Sequence, residues 1–199
     1  EHNILRADVE RGIDVQQNKL YKTERIWFNN YPNNPKDVFL DTERKASNYA
    51  TWIWINFKKK IYPESWRTRV PRVRVSFKGR TWSFAMNSGG WYNDRKTNAK
   101  YKWIKLAPCH QTFRIIIHEM AHHLAPERVQ HGPEFVKVYM FLLAYYLDYD
   151  LSYMCKIANE KNLQFSSTDK YLNTNFNKLL EKQKKNWIET EANKLQGVA

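Results

Sequence analysis

The chain has 199 residues, 42% apolar and 15% aromatic, enough to bury a core of ordinary domain size and too much for a disordered chain. Thirty-three Lys and Arg against 20 Asp and Glu give a formal charge of +13, which favours polyanionic partners but serves solubility equally. No apolar run nears the roughly 20 residues that cross a bilayer, and no signal peptide is visible, so a soluble, non-secreted protein without a membrane partner is expected.

Residues 1–40 mix charged and apolar positions without a sustained period and end in Tyr31-Pro32-Asn33-Asn34-Pro35, a turn-rich stretch that reads as the close of an N-terminal extension. From Asp41, helical spacing of Ala46, Tyr49, Ala50, Ile53 and Phe57 predicts a helix that Pro63 closes, with Trp52 and Trp54 off the stripe. Residues 70–86 read as a hairpin. Val73, Val75 and Phe77 alternate with Arg72, Arg74 and Ser76; after Lys78-Gly79, Trp82, Phe84 and Met86 alternate in turn. Tyr101 to Leu106 resembles a third strand, stopped by Pro108. A helix follows from about Thr112, a plausible N-cap, to Leu124, where Ala125-Pro126 ends it. The next starts near Pro133, with Phe135, Val138, Tyr139, Leu142 and Tyr146 as its buried stripe. After Asp150 the pattern weakens until Leu172, Phe176, Leu179 and Leu180 mark a terminal helix. The expected organisation is an extension over 1–40, a central domain over 41–150 and a helical extension over 151–199. The expected fold is α+β, with a small, mainly antiparallel sheet packed on the helix that carries the motif below.

Five of the six histidines (His110, His118, His122, His123 and His131) fall within twenty-two residues. On a helix, His118 and His122 stand one turn apart, so both imidazoles can meet one ion at about 2.0–2.1 Å. Glu119 sits beside His118, where a carboxylate can take a proton from water on the metal without ligating the metal itself. Catalytic zinc takes three protein ligands and leaves a position open. His131, held by Gly132-Pro133 at the start of the next helix, is favoured as the third, with Glu134 and Glu127 as alternatives. His123 points to a neighbouring face. The expectation is one Zn²⁺ per chain, although imidazole also suits iron, nickel and copper. Cys109 and Cys155 form no Cys-x-x-Cys pair, so no cysteine zinc ribbon and no disulfide framework is expected.

The stretch His118-Glu119-Met120-Ala121-His122-His123-Leu124 followed by His131-Gly132-Pro133-Glu134-Phe135 resembles the SprT-like zincin metallopeptidases. It is closer still to a family of predicted metallohydrolases from actinobacteria and their phages. That family is also similar to this chain at Asp41-Thr42-Glu43-Arg44 with Tyr49 and at Arg69-Val70-Pro71-Arg72-Val73, so the resemblance covers roughly residues 40–150. It implies a zincin-like fold, His118, His122 and His131 as metal ligands, Glu119 as catalytic acid-base, and a place in a bacterial cytoplasm or with a phage. The implied reaction is hydrolysis of a peptide or protein substrate. An extended peptide would then lie along an edge strand beside the metal, for which Tyr101 to Leu106 is the candidate. Oxyanion stabilisation would fall to Tyr139, Tyr145 or an arginine.

A second class of function stays open, that of a nucleic-acid-associated or virion structural protein whose zincin-like domain lacks relevant catalysis. Arg72, Arg74 and Lys78 share one face of the expected hairpin, and aromatic side chains nearby could stack bases.

Overall fold

The computed structural model describes residues 14, 16–64, 72–77, 84–85, 92–93, 100–107, 110–125 and 130–195. Helix α1 (Gln17–Asn29) opens where Asp14 Oδ1 accepts from the Gln17 N–H at 3.0 Å, and it buries Leu20, Thr23 and Trp27 on one face. Helix α2 (Glu43–Ile61) is capped by the Thr42 hydroxyl, which accepts from Lys45 N at 3.2 Å. Lys58, Lys59 and Lys60 in its last turn complement the carbonyl end of its dipole. Its buried stripe contains the expected Ala46, Ala50, Ile53 and Phe57, and also Trp54 and Ile61; Trp52 is exposed.

The strands are β1 (Arg72–Ser76), β2 (Phe84–Ala85), β3 (Tyr92–Asn93) and β4 (Lys100–Lys105). They do not form the expected hairpin or a mainly antiparallel sheet. β4 separates β1 from β2, and the longest ladder, Arg72↔Tyr101 through Ser76↔Lys105, is parallel. The antiparallel ladders of β2 and β3 with β4 are two residue pairs each. The reason lies on the outer edge of β1. Thr51 Oγ1 accepts from Val73 N at 3.0 Å and donates to Val73 O at 3.3 Å; Ser47 Oγ does the same for Val75, at 2.9 and 3.4 Å. Glu43 Oε1 accepts from Phe77 N at 2.7 Å. Positions 43, 47 and 51 are successive turns of α2, and they meet alternate residues of the strand. With that edge taken by a helix, one edge of β1 is left for a strand, and β4 occupies it.

Thr51→Val keeps the shape of the side chain and strips both bonds from the Val73 backbone. Leaving a part-buried N–H without its acceptor costs about 1–3 kcal/mol, so the urea midpoint should fall, and an unchanged midpoint would mean that the edge is satisfied by water.

Helix α3 (Phe113–Leu124) starts after Thr112 as expected, yet the Thr112 hydroxyl makes no cap bond. Asp37 does this instead: its Oδ1 accepts from Arg114 N at 2.9 Å while its Oδ2 pairs with the Arg114 guanidinium at 3.2 Å. Helix α4 (Pro133–Leu147) begins on its proline and packs along α3. Helix α5 (Leu151–Glu160) lies where the sequence pattern weakens, and α6 (Lys170–Leu195) is the terminal helix. One buried apolar cluster joins Leu20 and Trp27 of α1, Ile53 and Phe57 of α2, Val73 and Val75 of β1, Ile116 and Met120 of α3, Phe135, Tyr139 and Leu142 of α4, and Leu172 and Phe176 of α6. The described parts of both flanking segments therefore pack on the central core. Among the described residues no helix is long and apolar enough to cross a membrane.

Candidate metal centre

Helix α3 presents His118 and His122 one turn apart, and the turn before α4 brings His131 to them from the other side. One ring nitrogen from each lies within 4.8 Å of those of the other two. His118 Nε2 and His131 Nε2 are 3.2 Å apart. Two nitrogens bound tetrahedrally to one ion at 2.0–2.1 Å stand about 3.3 Å apart, so this pair already has a ligand–ligand spacing. Phe135 and Tyr139 of α4 pack against His118, and Phe135 also meets His122 and His131, which fixes the ring planes and walls the cluster. His118 and His131 are buried, 8% and 6% exposed.

The far nitrogens of two of these rings are also held. His118 Nδ1 donates to Glu24 Oε1 at 3.0 Å, and His131 Nδ1 donates to Asp14 Oδ2. A proton on Nδ1 leaves Nε2 with its lone pair free toward the cluster, the tautomer a metal ligand needs. Burial would depress the His118 pKa, but the Glu24 bond and charge, with Glu119 and Asp14 behind them, outweigh it and hold the ring above its ordinary value. His122 is driven the opposite way. Burial, then the neighbouring His118 and His131, push it down to about 2, so it is neutral at any working pH. Asp14 is lowered: burial works against it, and the His131 hydrogen bond and charge prevail.

Glu119 is 4% exposed and lies on α3 directly after His118; its charge acts on both His118 and Tyr21. Asp14, Glu24 and Glu119 thus set acidic groups around the imidazoles, an arrangement that a divalent cation balances. The donor set and the charge both fit such an ion, and they leave the choice of metal open.

The other sequence candidates stand elsewhere. Glu134 is turned to Thr168, accepting from its N–H at 2.6 Å and its hydroxyl at 3.1 Å just ahead of α6, and Glu127 lies outside the described residues. His123 Nε2 donates to Trp103 O at 3.1 Å, and burial pushes its pKa down to about 4. Tyr139 has its ring against His118 but its hydroxyl is bonded to Glu24 beneath the imidazoles, and burial raises its pKa well above the ordinary value. Tyr145 instead stacks on Phe141 and meets Tyr146 edge-on. The strand proposed to receive a peptide, β4, has strand partners on both edges, and the carbonyl of Trp103 between β2 and β3 is already taken by His123. Of the basic face, Arg74 is exposed with its guanidinium 4.9 Å over the Trp103 ring; Arg72 starts β1, and Lys78 lies outside the described residues.

Three site residues escaped the sequence reading, and all belong to the segment that reads as an extension: Asp14, Tyr21 and Glu24. Tyr21 packs edge-on to His131 with ring centroids 5.6 Å apart and 6.2 Å from His118, and is 39% exposed. Burial and then its acidic neighbours raise its pKa, so its hydroxyl keeps its proton. The partial signal was the spacing of Leu20 and Trp27, an apolar stripe interrupted by Thr23.

Comparison with protein-family models, with curated proteins and with solved structures finds no match to this chain.

Proposed function

We propose that this chain is a metal-dependent hydrolase of zincin type, and specifically a metallopeptidase with zinc at His118, His122 and His131. The observation that carries the reading is the convergence of these imidazoles, with a 3.2 Å Nε2–Nε2 spacing and Glu119 buried beside them. Zinc at such a site supplies Lewis acidity, lowering the pKa of a water to near 7. The Glu119 carboxylate would take a proton from the attacking water and return it to the departing amine. Tyr21, on the open side of the cluster with its hydroxyl protonated, is the donor best placed by exposure to meet the oxyanion of the attacked carbonyl, in place of Tyr139 or Tyr145. The substrate then approaches across α1, since among the described residues β4 has strand partners on both edges.

The test is elemental analysis of protein purified without chelator, followed by mass-spectrometric mapping of cleavage in unstructured polypeptides. About one zinc per chain is expected, with cleavage that chelator stops and added zinc restores. Protein that is metal-free and refuses zinc would reject the site. Zinc-loaded protein that cleaves none of the polypeptides would favour the structural, nucleic-acid-associated reading.

A further inference from the structure

The segment that opens the described chain touches the metal centre at two points, and the two carboxylates involved come from opposite ends of one short stretch. Asp14 precedes α1 and divides its oxygens: Oδ1 caps the helix at Gln17 N, 3.0 Å away, and Oδ2 holds His131 Nδ1. Glu24, three turns later on the same helix, holds His118 Nδ1 at 3.0 Å. Between them, buried Gln16 donates to the backbone carbonyl of His131 at 3.3 Å and accepts from Gln164 N at 2.7 Å. Leu20, Thr23 and Trp27 fix the rotation of the helix by entering the core, and Trp27 packs on Tyr139, whose hydroxyl also bonds Glu24. Two of the three rings that would share one ion are thus oriented through a single element, whose own start depends on one of the two carboxylates.

We propose that Asp14 and residues 16–29 form a clasp whose docking is coupled to metal binding, with Asp14 and Glu24 as its positioning residues. The inference rests on the metal-binding half of the proposed function and is independent of hydrolysis. A carboxylate on Nδ1 fixes the tautomer and makes Nε2 a more basic ligand, and loss of such a partner typically lowers metal affinity about 10–100-fold. The coupling is reciprocal: whatever factor the docked helix adds to metal affinity, the bound metal adds to the docking equilibrium. The helix that covers the site is then held most firmly when the site is loaded, and an unloaded site is more open to solvent, or to a metal donor, along α1.

The experiment uses the full chain, with Zn²⁺ as probe, in wild type, Glu24→Gln, Asp14→Asn and the double variant. Chelator competition gives zinc affinity, and hydrogen exchange of residues 17–29 with and without zinc gives docking. Each single variant should bind zinc about 10–100-fold more weakly, and the double variant more weakly than either. In wild type, zinc should slow exchange in α1 by at least about tenfold, and in the double variant that zinc-dependent slowing should shrink. Asp14→Asn keeps an amide oxygen for the Gln17 cap and removes no core atom, so it remains informative if Glu24→Gln fails to fold. Wild-type zinc affinity in the folded variants, or α1 exchange indifferent to zinc, overturns the clasp and leaves the imidazole site standing. Wild-type protein that takes up no zinc overturns the site and the clasp with it.

Discussion

Replacing His131 with alanine should lower zinc affinity by about 10²–10⁴-fold, while Glu134→Ala should leave it within a few-fold. Apparent binding of about 10–16 kcal/mol at a protein zinc site, divided over three side-chain ligands, assigns about 3–5 kcal/mol to each, which is that range of affinity. His131 meets His118 at a ligand spacing, whereas Glu134 spends its carboxylate on Thr168. The cost of Glu134→Ala should therefore appear in the docking of α6, as a lowered thermal midpoint. A Glu134→Ala loss larger than that of His131→Ala would make the glutamate the third ligand. The pH dependence of binding adds a second check. His118 is held above its ordinary pKa in the metal-free fold, so a proton there opposes the ion, whereas His122, pushed down to about 2, has none to release. Zinc affinity should thus fall as pH drops through the elevated His118 value, with a proton released when the ion binds. The same shift has the opposite sense for the metal-free fold. A raised histidine pKa contributes stability that is fully present below the unfolded value of about 6.5 and lost as pH rises through the folded value. Acid should therefore favour the empty site and neutral pH the loaded one.

The parts of this molecule that were legible in the sequence are those that a local rule fixes. His118, Glu119 and His122 are set by one turn of helix, Pro133 by its fitness for a first helical position, and the α2 stripe by its period. The sheet was misread because the alternation around Lys78-Gly79 describes which faces are buried and says nothing about which strand lies next door. Ser47 and Thr51, ordinary polar residues on a helix, decide that question by occupying the β1 edge. The outer half of the metal centre was invisible for a related reason. Glu24 and Asp14 lie 94 and 117 positions from the histidines they hold, and in a segment of mixed charge an acidic residue carries no mark of its partner. Helix α5 escaped because its buried Leu151, Met154, Ile157 and Ala158 make a short stripe on a helix of only 10 residues.

Glu119→Gln should leave the fold and the zinc in place and reduce hydrolysis by roughly 10²–10⁴-fold, the usual contribution of a positioned acid-base group. The substitution keeps the size of the side chain and one hydrogen-bond-accepting oxygen, and it removes the capacity to take up and return a proton. Glu119 lies outside the group of side chains whose nitrogens converge, so His118, His122 and His131 should still hold the ion. Glu119 is almost fully buried, and its charge acts on His118, so neutralising it should also lower the His118 pKa by removing one of the acidic groups that raise it. The change in zinc affinity that follows is small beside the loss of a ligand, and its pH dependence should shift toward acid. Three measurements separate the role of Glu119 from that of its neighbours: zinc content, zinc affinity against pH, and chelator-sensitive cleavage of unstructured polypeptide. Cleavage at the wild-type rate by zinc-loaded Glu119→Gln would falsify the acid-base assignment. Loss of zinc together with cleavage would move Glu119 from proton carrier to ligand. Cleavage lost with zinc retained, and restored by neither added metal nor higher pH, is the expected result, because Lewis acidity alone leaves the water's proton and the leaving amine without a carrier between them.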